Sequence, residues 1–481
     1  MSVVSADRTT GGSARPSLLS KQVLVWAAYD WGGAAFNAVI TTFVFTVYLT
    51  GSAFGDRDTT DQALALGLGV AGVIIAVLAP VTGQRADRGG RATFWLGVYS
   101  TVVLLVSYAL YFVRPDPAYL WLGVGLLGVG QIFQELAAVN YNALLNRIST
   151  PATIGRVSAL GWGAGYVGGI LLLLILYVGF IAPEVGWFGV TKADGLNVRV
   201  SMLVAATWFG VSMVPLLVVM RRRRHQVVDG PGGTAQEPGA DPDFAGPPLR
   251  PATIAAAYRR LWRTIAALRR EHPDTLRFLL ASAVFRDGLA GIFTFGSVVA
   301  VGSYGFSPAT ALIFGIVANV VAGVATVASG WFDDRLGPKR VMVTSLIAMI
   351  VAGTAVFALQ GRGPVVFWTV GLVLVAFVGP VQSASRSFLA RVIPEGRDGE
   401  IFCLYTTTGR AVSFLAPWMF GLFIDLGRRV VGPGGNAQPW GIAGLMLILL
   451  VGLVLLLPVR AVRAAPGRSE HLVTSHAAGD A

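Results

Sequence analysis

The chain reads as long apolar runs separated by short polar segments, and the runs are continuous: Leu171 to Val178 and Leu445 to Leu457 hold no charged side chain. A membrane β-barrel would instead alternate lipid-facing apolar with lumen-facing polar positions. A helix satisfies its backbone within itself and needs roughly 20 apolar residues to cross a bilayer. About twelve crossings are predicted on that basis, at 22–48, 62–84, 92–113, 118–146, 156–180, 198–220, 275–301, 308–332, 339–359, 364–389, 400–424 and 440–458. The fold class expected is an all-α polytopic membrane protein in two sets of six helices.

The polar segments carry the orientation. Those after the second, fourth, sixth, eighth and tenth runs hold Arg85, Arg88, Arg91, Arg147, Arg156, Arg221 to Arg224, Arg335, Lys339, Arg340, Arg391 and Arg397. The opposite segments hold Arg57, Arg114, Lys192, Arg362, Arg428 and Arg429. By the positive-inside rule both termini are cytoplasmic, on the plasma (inner) membrane for a prokaryotic chain. Residues 1–21 form an N-terminal tail without the apolar core of a signal peptide, and 459–481 a C-terminal tail.

Between the bundles 22–220 and 274–458 lies a linker, 221–273. Its first part, Val228 to Pro251, is dense in Gly, Pro and Asp and reads as flexible. Its second part predicts an amphipathic helix with Ile254, Tyr258, Leu261, Trp262, Ile265 and Leu268 on one face and Arg259, Arg260, Arg263, Arg269 and Arg270 around the rest. Such a helix is expected to lie on anionic inner-leaflet lipid.

Composition agrees: of 481 residues 54% are hydrophobic and 13% charged, outside the range of an ordinary soluble domain. The net charge of +12 sits in the loops, so nucleic acid is not an expected partner. The single cysteine, Cys403, excludes an intramolecular disulfide. No nucleotide-binding G-x-x-x-x-G-K-[ST] run and no His or Cys cluster for a metal occurs, so neither an enzyme nor a cofactor is expected.

The two halves repeat. Gly83 to Arg91 and Gly330 to Arg340 both read G-x-x-x-D-R-x-G followed by basic residues, with Gly83, Asp87, Arg88 and Gly90 matched by Gly330, Asp334, Arg335 and Gly337. An ungapped match also aligns Arg147, Gly155, Leu160 and Gly165 with Arg391, Gly399, Leu404 and Gly409. Parallel six-helix repeats are the architecture in which two bundles rock about a central site.

The duplicated loop resembles the signature of the major facilitator superfamily. Within it, YDWGGAAF from Tyr29, VNYNALLNRISTPATIGRVSALGWGAGYVGG from Val139 and SRSFLARVIPEGRDGEIFCLYTTTGR from Ser385 resemble the vacuole-effluxer branch, the autophagy-related vacuolar amino-acid effluxers and their bacterial relatives. That branch usually has Ala-Asn-Ser where this chain has Gly32-Gly33-Ala34, so no role of that Asn or Ser carries over; Asn37 lies one turn further along.

The resemblance implies that each loop carboxylate caps a helix start in the opposite half and holds a cytoplasmic gate shut. Asp334 would meet the start of the fifth span near Arg156 and Asp87 the start of the eleventh near Glu400, with Arg147 and Arg391 as neighbours. The alternative is that these charges only enforce topology.

Deeper in the membrane stand Asp30, Glu135, Arg286, Asp287 and Arg410, three carboxylates facing two guanidiniums. Intramembrane charges usually face a cavity or a partner. Arg286 is expected to bridge the halves to Glu135 or Asp30 and Arg410 to offset Asp287, leaving one carboxylate to carry a proton, with Glu135 as the best placed. A static buried pair is the alternative. Gln131, Gln134, Asn140, Gln382, Arg386 and Tyr405 are polar neighbours, while Gly161, Gly165 and Gly169 form a close-packing ridge. The function expected is secondary active transport of a small polar solute, amino-acid-like by resemblance, as a monomeric exporter, with proton coupling open. The alternatives are a lipid or drug exporter of the same fold and a non-transporting solute sensor.

Overall fold

The computed structural model describes residues 20–87, 92–228, 254–393, 397–432 and 436–460. Each predicted crossing is a helix, and ten are long and apolar enough to span a membrane: Lys21–Leu49, Ala92–Phe112, Pro117–Ile148, Ile154–Ile181, Ala193–Met220, Pro273–Gly296, Ile313–Leu336, Pro338–Ala358, Pro364–Val392 and Asp398–Val431. The second and twelfth are shorter apolar helices, Gln62–Leu78 within the helix Arg57–Asp87, and Trp440–Leu456. They are numbered spans 1 to 12 in chain order.

Local chemistry sets the ends. Asp56 caps span 2 by accepting hydrogen bonds from the Thr59 hydroxyl at 2.6 Å and the Thr59 N–H at 3.1 Å, and these bonds hold its carboxyl below the ordinary range. Gly337, at φ +88°, supplies the backbone turn between spans 8 and 9 that a side chain would strain. Span 6 runs as helix to Val228, past its predicted end at 220.

Two spans are irregular. Span 1 is α-helical to Ala34, opens into a π-helical stretch over Ala35–Phe43 and closes with a short turn, Phe45–Leu49. Span 11 is broken: Asp398–Ala411 and Leu415–Val431 are separate helices joined at Val412 to Phe414. Broken or widened helices persist in membranes where side chains or a cavity satisfy the freed backbone groups.

The predicted glycine ridge of span 5 packs on span 1. A Cβ on Gly165 would lie 3.4 Å from the Asp30 carbonyl oxygen, and one on Gly168 would come within 2.9 Å of the Trp31 Cα. Gly168→Val therefore forces two backbones apart and should cost about 1–3 kcal/mol. The melting midpoint of the purified protein should fall by several degrees. Gly169→Ala, whose Cβ would meet only the Ala34 and Ala38 methyls at 3.3 and 3.5 Å, should leave it nearly unchanged.

The linker segment is helical over Ile254–Glu271, and Leu261 and Leu268 of its apolar face are buried against protein. It packs on spans 2 and 7 with Leu261, Thr264 and Leu268 buried, and the Thr264 hydroxyl donates to Glu400 of span 11 at 2.6 Å. The expected stripe is split by this docking: Trp262 is left 68% exposed beside exposed Arg259, Arg263, Arg269 and Arg270.

Candidate functional site

The halves meet along spans 5 and 8 and spans 2 and 11, and the hydrogen bonds between them gather toward the end that carries the repeated loop motif. Span 5 has no side-chain cap of its own at Thr153. Its free N–H groups are taken by Asp334 of span 8, which accepts from Gly155 N–H at 2.8 Å, Arg156 N–H at 3.2 Å and Arg156 Nε at 2.7 Å. A carboxylate at the positive end of a helix gains from both bonds and dipole. Arg391 of span 10 braces the acid, reaching Asp334 at 3.1 Å and Asp333 at 2.6 Å. Gly155 and Gly330 permit the approach, since a Cβ on Gly155 would sit 2.6 Å from the Asp333 carboxyl carbon and one on Gly330 2.9 Å from the Arg156 Cα.

Other residues of the predicted gate are placed differently. Arg335 lies over the Trp331 ring at 3.7 Å and takes no part in the Asp334 cluster. Arg147 lies near Asp398, the first residue of span 11, which also accepts from Asn146 at 2.6 Å. Arg88 and Gly90 fall outside the described residues, and Gly83 and Asp87 are described only as helix backbone.

One level deeper, Arg386 of span 10 enters the N-terminal half. Its Nη1 reaches Asp30 Oδ2 at 3.4 Å and Asn142 Oδ1 at 3.3 Å, its Nη2 the Ser158 carbonyl at 2.6 Å and its Nε the Ser158 hydroxyl at 3.0 Å. Three rings surround the guanidinium: Trp26 at 4.8 Å, Trp162 at 5.7 Å and Tyr141 at 5.9 Å. Trp26 and Tyr141 are stacked and exchange hydrogen bonds with each other's carbonyls at 3.2 and 3.0 Å, so this aromatic wall is rigid. The guanidinium is thus held by hydrogen bonds, an ion pair and π-faces together.

Deeper again, Arg410 of span 11 pairs with Glu135 of span 4, and Gln131 donates to the same carboxylate oxygen at 3.4 Å. The expected bridges from Arg286 to Glu135 or Asp30 and from Arg410 to Asp287 are therefore not formed. Asp287 instead accepts the Ala416 N–H at 2.6 Å, capping the second helix of broken span 11. Arg286 lies over the Tyr405 ring at 3.9 Å and donates to the Tyr405 carbonyl at 3.1 Å. Helix rotation explains the exchange, because neighbouring positions on a helix point about 100° apart and only the packed structure shows which one faces the other half.

The remaining polar candidates vary. Gln134 faces Gly33, and its carbonyl oxygen is buried without a protein partner. Asn140 is buried and bonds back to the Leu136 carbonyl at 2.9 Å. Tyr405 shares a 2.7 Å hydroxyl contact with Ser385, Gln382 is half-buried, and the Asn37 side chain is exposed.

Sequence reading missed Ser158, Asn142 and the Trp26–Tyr141–Trp162 wall. A signal for one of them was present: the register pairing Arg147 with Arg391 also pairs Asn142 with Arg386, so two equivalent positions meet across the pseudo-twofold axis.

Residues 149–468 match the family described as vacuole effluxer Atg22 like. An uncharacterized MFS-type transporter, YxiO, of Bacillus subtilis is 24% identical over 445 residues, covering 91% of this chain and 94% of that one. Autophagy-related protein 22-1 of Neosartorya fischeri is 25% identical over 300 residues, covering 58% of this chain and 46% of that protein, so the chain spans about half the length of such fungal relatives. Among solved structures, the proton:xylose symporter XylE bound to 6-bromo-6-deoxy-D-glucose aligns with a TM-score of 0.67 at 14% identity, covering 92% of this chain and 95% of its own. A bacterial homologue of the iron transporter ferroportin in an outward-facing state aligns with a TM-score of 0.63 at 14% identity, covering 91% and 98%. With a family match over most of its length and this helical fold, the chain belongs to the vacuole effluxer Atg22-like family of the major facilitator superfamily and is a membrane transporter, not an enzyme.

Proposed function

We propose that the chain is a secondary active exporter of a small polar solute with an amino-acid-like head, working by alternating access, with bundles 22–220 and 274–458 rocking about the Asp30–Arg386 and Glu135–Arg410 level. The observation that carries this reading is the one-sided interface. Asp334, Asp398, Arg386 and Arg410 tie the halves from the motif end inward, with Arg391 bracing Asp334 from within its own half. With the basic loops and both termini cytoplasmic, this is a state closed to the cytoplasm. The polar groups at the inner limit of those contacts, Gln131, Gln134, Gln382 and Tyr405, suit a zwitterion, since arginine takes a carboxylate bidentately and amide oxygens accept from an ammonium. Flux of labelled amino acids in proteoliposomes tests the reading. A protein that binds them and moves none is a sensor.

Glu135 is the proton carrier in this proposal, because its pair with Arg410 joins the halves in this state and must part when they rock. Flux by Glu135→Gln should lose its response to an imposed pH gradient. A fully retained response removes Glu135 from that role.

The protein acts as a monomer, and the linker helix holds anionic inner-leaflet lipid through exposed Trp262, Arg263, Arg269 and Arg270. Export of a lipid or drug is the second reading. A crevice of about 450 Å³ between spans 1 and 6, lined by Trp31, Val204, Trp208 and Val211, favours it by offering an apolar opening on the side of the N-terminal half. Trp208→Ala should alter flux of an apolar solute and leave amino-acid flux unchanged.

A further inference from the structure

We infer that Arg286 is the anchor for an anionic group on the transported solute, and that the solute is recognised as a carboxylate. This rests on the transport reading above and names its substrate chemistry. Span 10 brings Arg386 to the inner level, so three guanidiniums, Arg286, Arg386 and Arg410, stand with three carboxylates, Asp30, Glu135 and Asp287.

The pairings use up the acids. Asp30 is with Arg386, Glu135 is with Arg410, and Asp287 is spent on the start of the second helix of span 11. Among the described residues no carboxylate lies within ion-pair distance of Arg286. The six charges balance, since the bond to a neutral N–H leaves Asp287 charged, but Arg286 is a guanidinium without a carboxylate partner, where the sequence led us to expect a carboxylate left over.

Its surroundings suit capture of a ligand. The half-buried guanidinium is fixed on one side by the Tyr405 ring at 3.9 Å and by one bond to the Tyr405 carbonyl at 3.1 Å. Its fork has five N–H donors, so most remain for another acceptor. Gly409 leaves the space, since a Cβ there would lie 3.3 Å from Nη1. The next residue, Arg410, makes the contact with Glu135 across the halves, which places Arg286 beside their meeting point. A π-face holds an arginine without neutralising it, so a carboxylate arriving there gains the full charge-assisted pair.

The test uses the purified full-length protein and matched probes: L-alanine with L-alaninamide, L-phenylalanine with L-phenylalaninamide, and hexanoate with hexanamide. The acid member of at least one pair should raise the melting midpoint and its amide should not. Arg286→Gln should weaken that acid's apparent affinity at least tenfold, Arg286→Lys should recover part of it, and Arg277→Gln, an exposed arginine on the same span, should leave it unchanged. Equal stabilisation by acid and amide, stabilisation by no acid, or acid binding that survives Arg286→Gln would overturn the inference. Proteoliposome flux of the same acid is read separately: binding without flux removes the transport reading and leaves the anion site standing.

Discussion

Asp334→Asn is expected to release the motif-end gate and shift the protein about 100-fold toward the state open at that end. The carboxylate is nearly buried, 7% exposed at its side chain, and it accepts from Gly155 N–H, Arg156 N–H, Arg156 Nε and Arg391 Nη2 at 2.7–3.2 Å. Asparagine keeps one acceptor oxygen and turns an NH₂ toward donors. Hydrogen bonds to a charged group contribute about 1.5–3 kcal/mol each, and about 3 kcal/mol lost from the closed state corresponds to roughly two decades of equilibrium.

The measurement follows from the cysteine usage. Cys403 is the only cysteine and is buried, so a Cys403→Ser background is a small change. Ser383→Cys in that background reports on the closed interface, because Ser383 is 1% exposed where it meets Ser158 of the opposite half. Its labelling by a maleimide from the motif side should be slow with Asp334 intact and much faster in Asp334→Asn, with solute flux falling at least tenfold. Unchanged labelling and flux would leave the loop carboxylate with a purely topological role.

Arg386→Ala should be more damaging to stability. Arg386 is 4% exposed, and loss of its guanidinium leaves Asp30, the Ser158 carbonyl and Asn142 Oδ1 facing an emptied aromatic box. Breaking a buried ion pair from one side costs about 3–5 kcal/mol; the Asp30 side chain keeps 27% of its exposure, which points to the lower end. The purified variant should melt many degrees lower and show no measurable flux. Arg386→Lys should recover little, because a lysine offers no planar fork for Ser158, Asn142 and Asp30 together. A double-mutant cycle with Asp30→Asn separates the pair from the packing: a coupling energy of about 1 kcal/mol or more assigns the ion pair a share, and zero coupling assigns the effect to the rings and Ser158.

Much of this arrangement is legible along the chain. Hydropathy placed each helix, and the resemblance carried by the duplicated D-R-x-G loop implied that Asp334 meets the start of span 5, where the contact is found. The glycine ridge of span 5, Gly161, Gly165 and Gly169, was likewise readable from its spacing of four, and it packs on span 1 at Trp26, Asp30 and Ala34. The linker helix was readable as a helix but not as to what covers it: an amphipathic face fits a bilayer and a protein groove alike, and only the contacts of Leu261, Thr264 and Leu268 with the bundle separate the two.

The charge pairings were not legible. Arg286 and Asp287 look like the obvious partners for Glu135, Asp30 and Arg410, yet one lies on a tyrosine ring and the other caps a helix. The break in span 11 that creates that helix start has a local cause in Pro417, which has no N–H to bond the Ser413 carbonyl and is tolerated in the first turn of the new helix, but nothing local shows that Asp287 is what caps it.

The membrane class, the helices and their two-fold repeat could be read from the chain alone, because length, hydropathy and motif spacing are properties of contiguous residues, and the family resemblance carried by the motifs pointed to Asp334 at the start of span 5. The meeting of Arg386 with Asp30 and of Arg410 with Glu135, and the aromatic ring against Arg286, emerge from the packing of the helices. Those outcomes depend on the rotation and depth of helices far apart in the chain, where a step of one residue turns a side chain by about 100° and changes which half it faces.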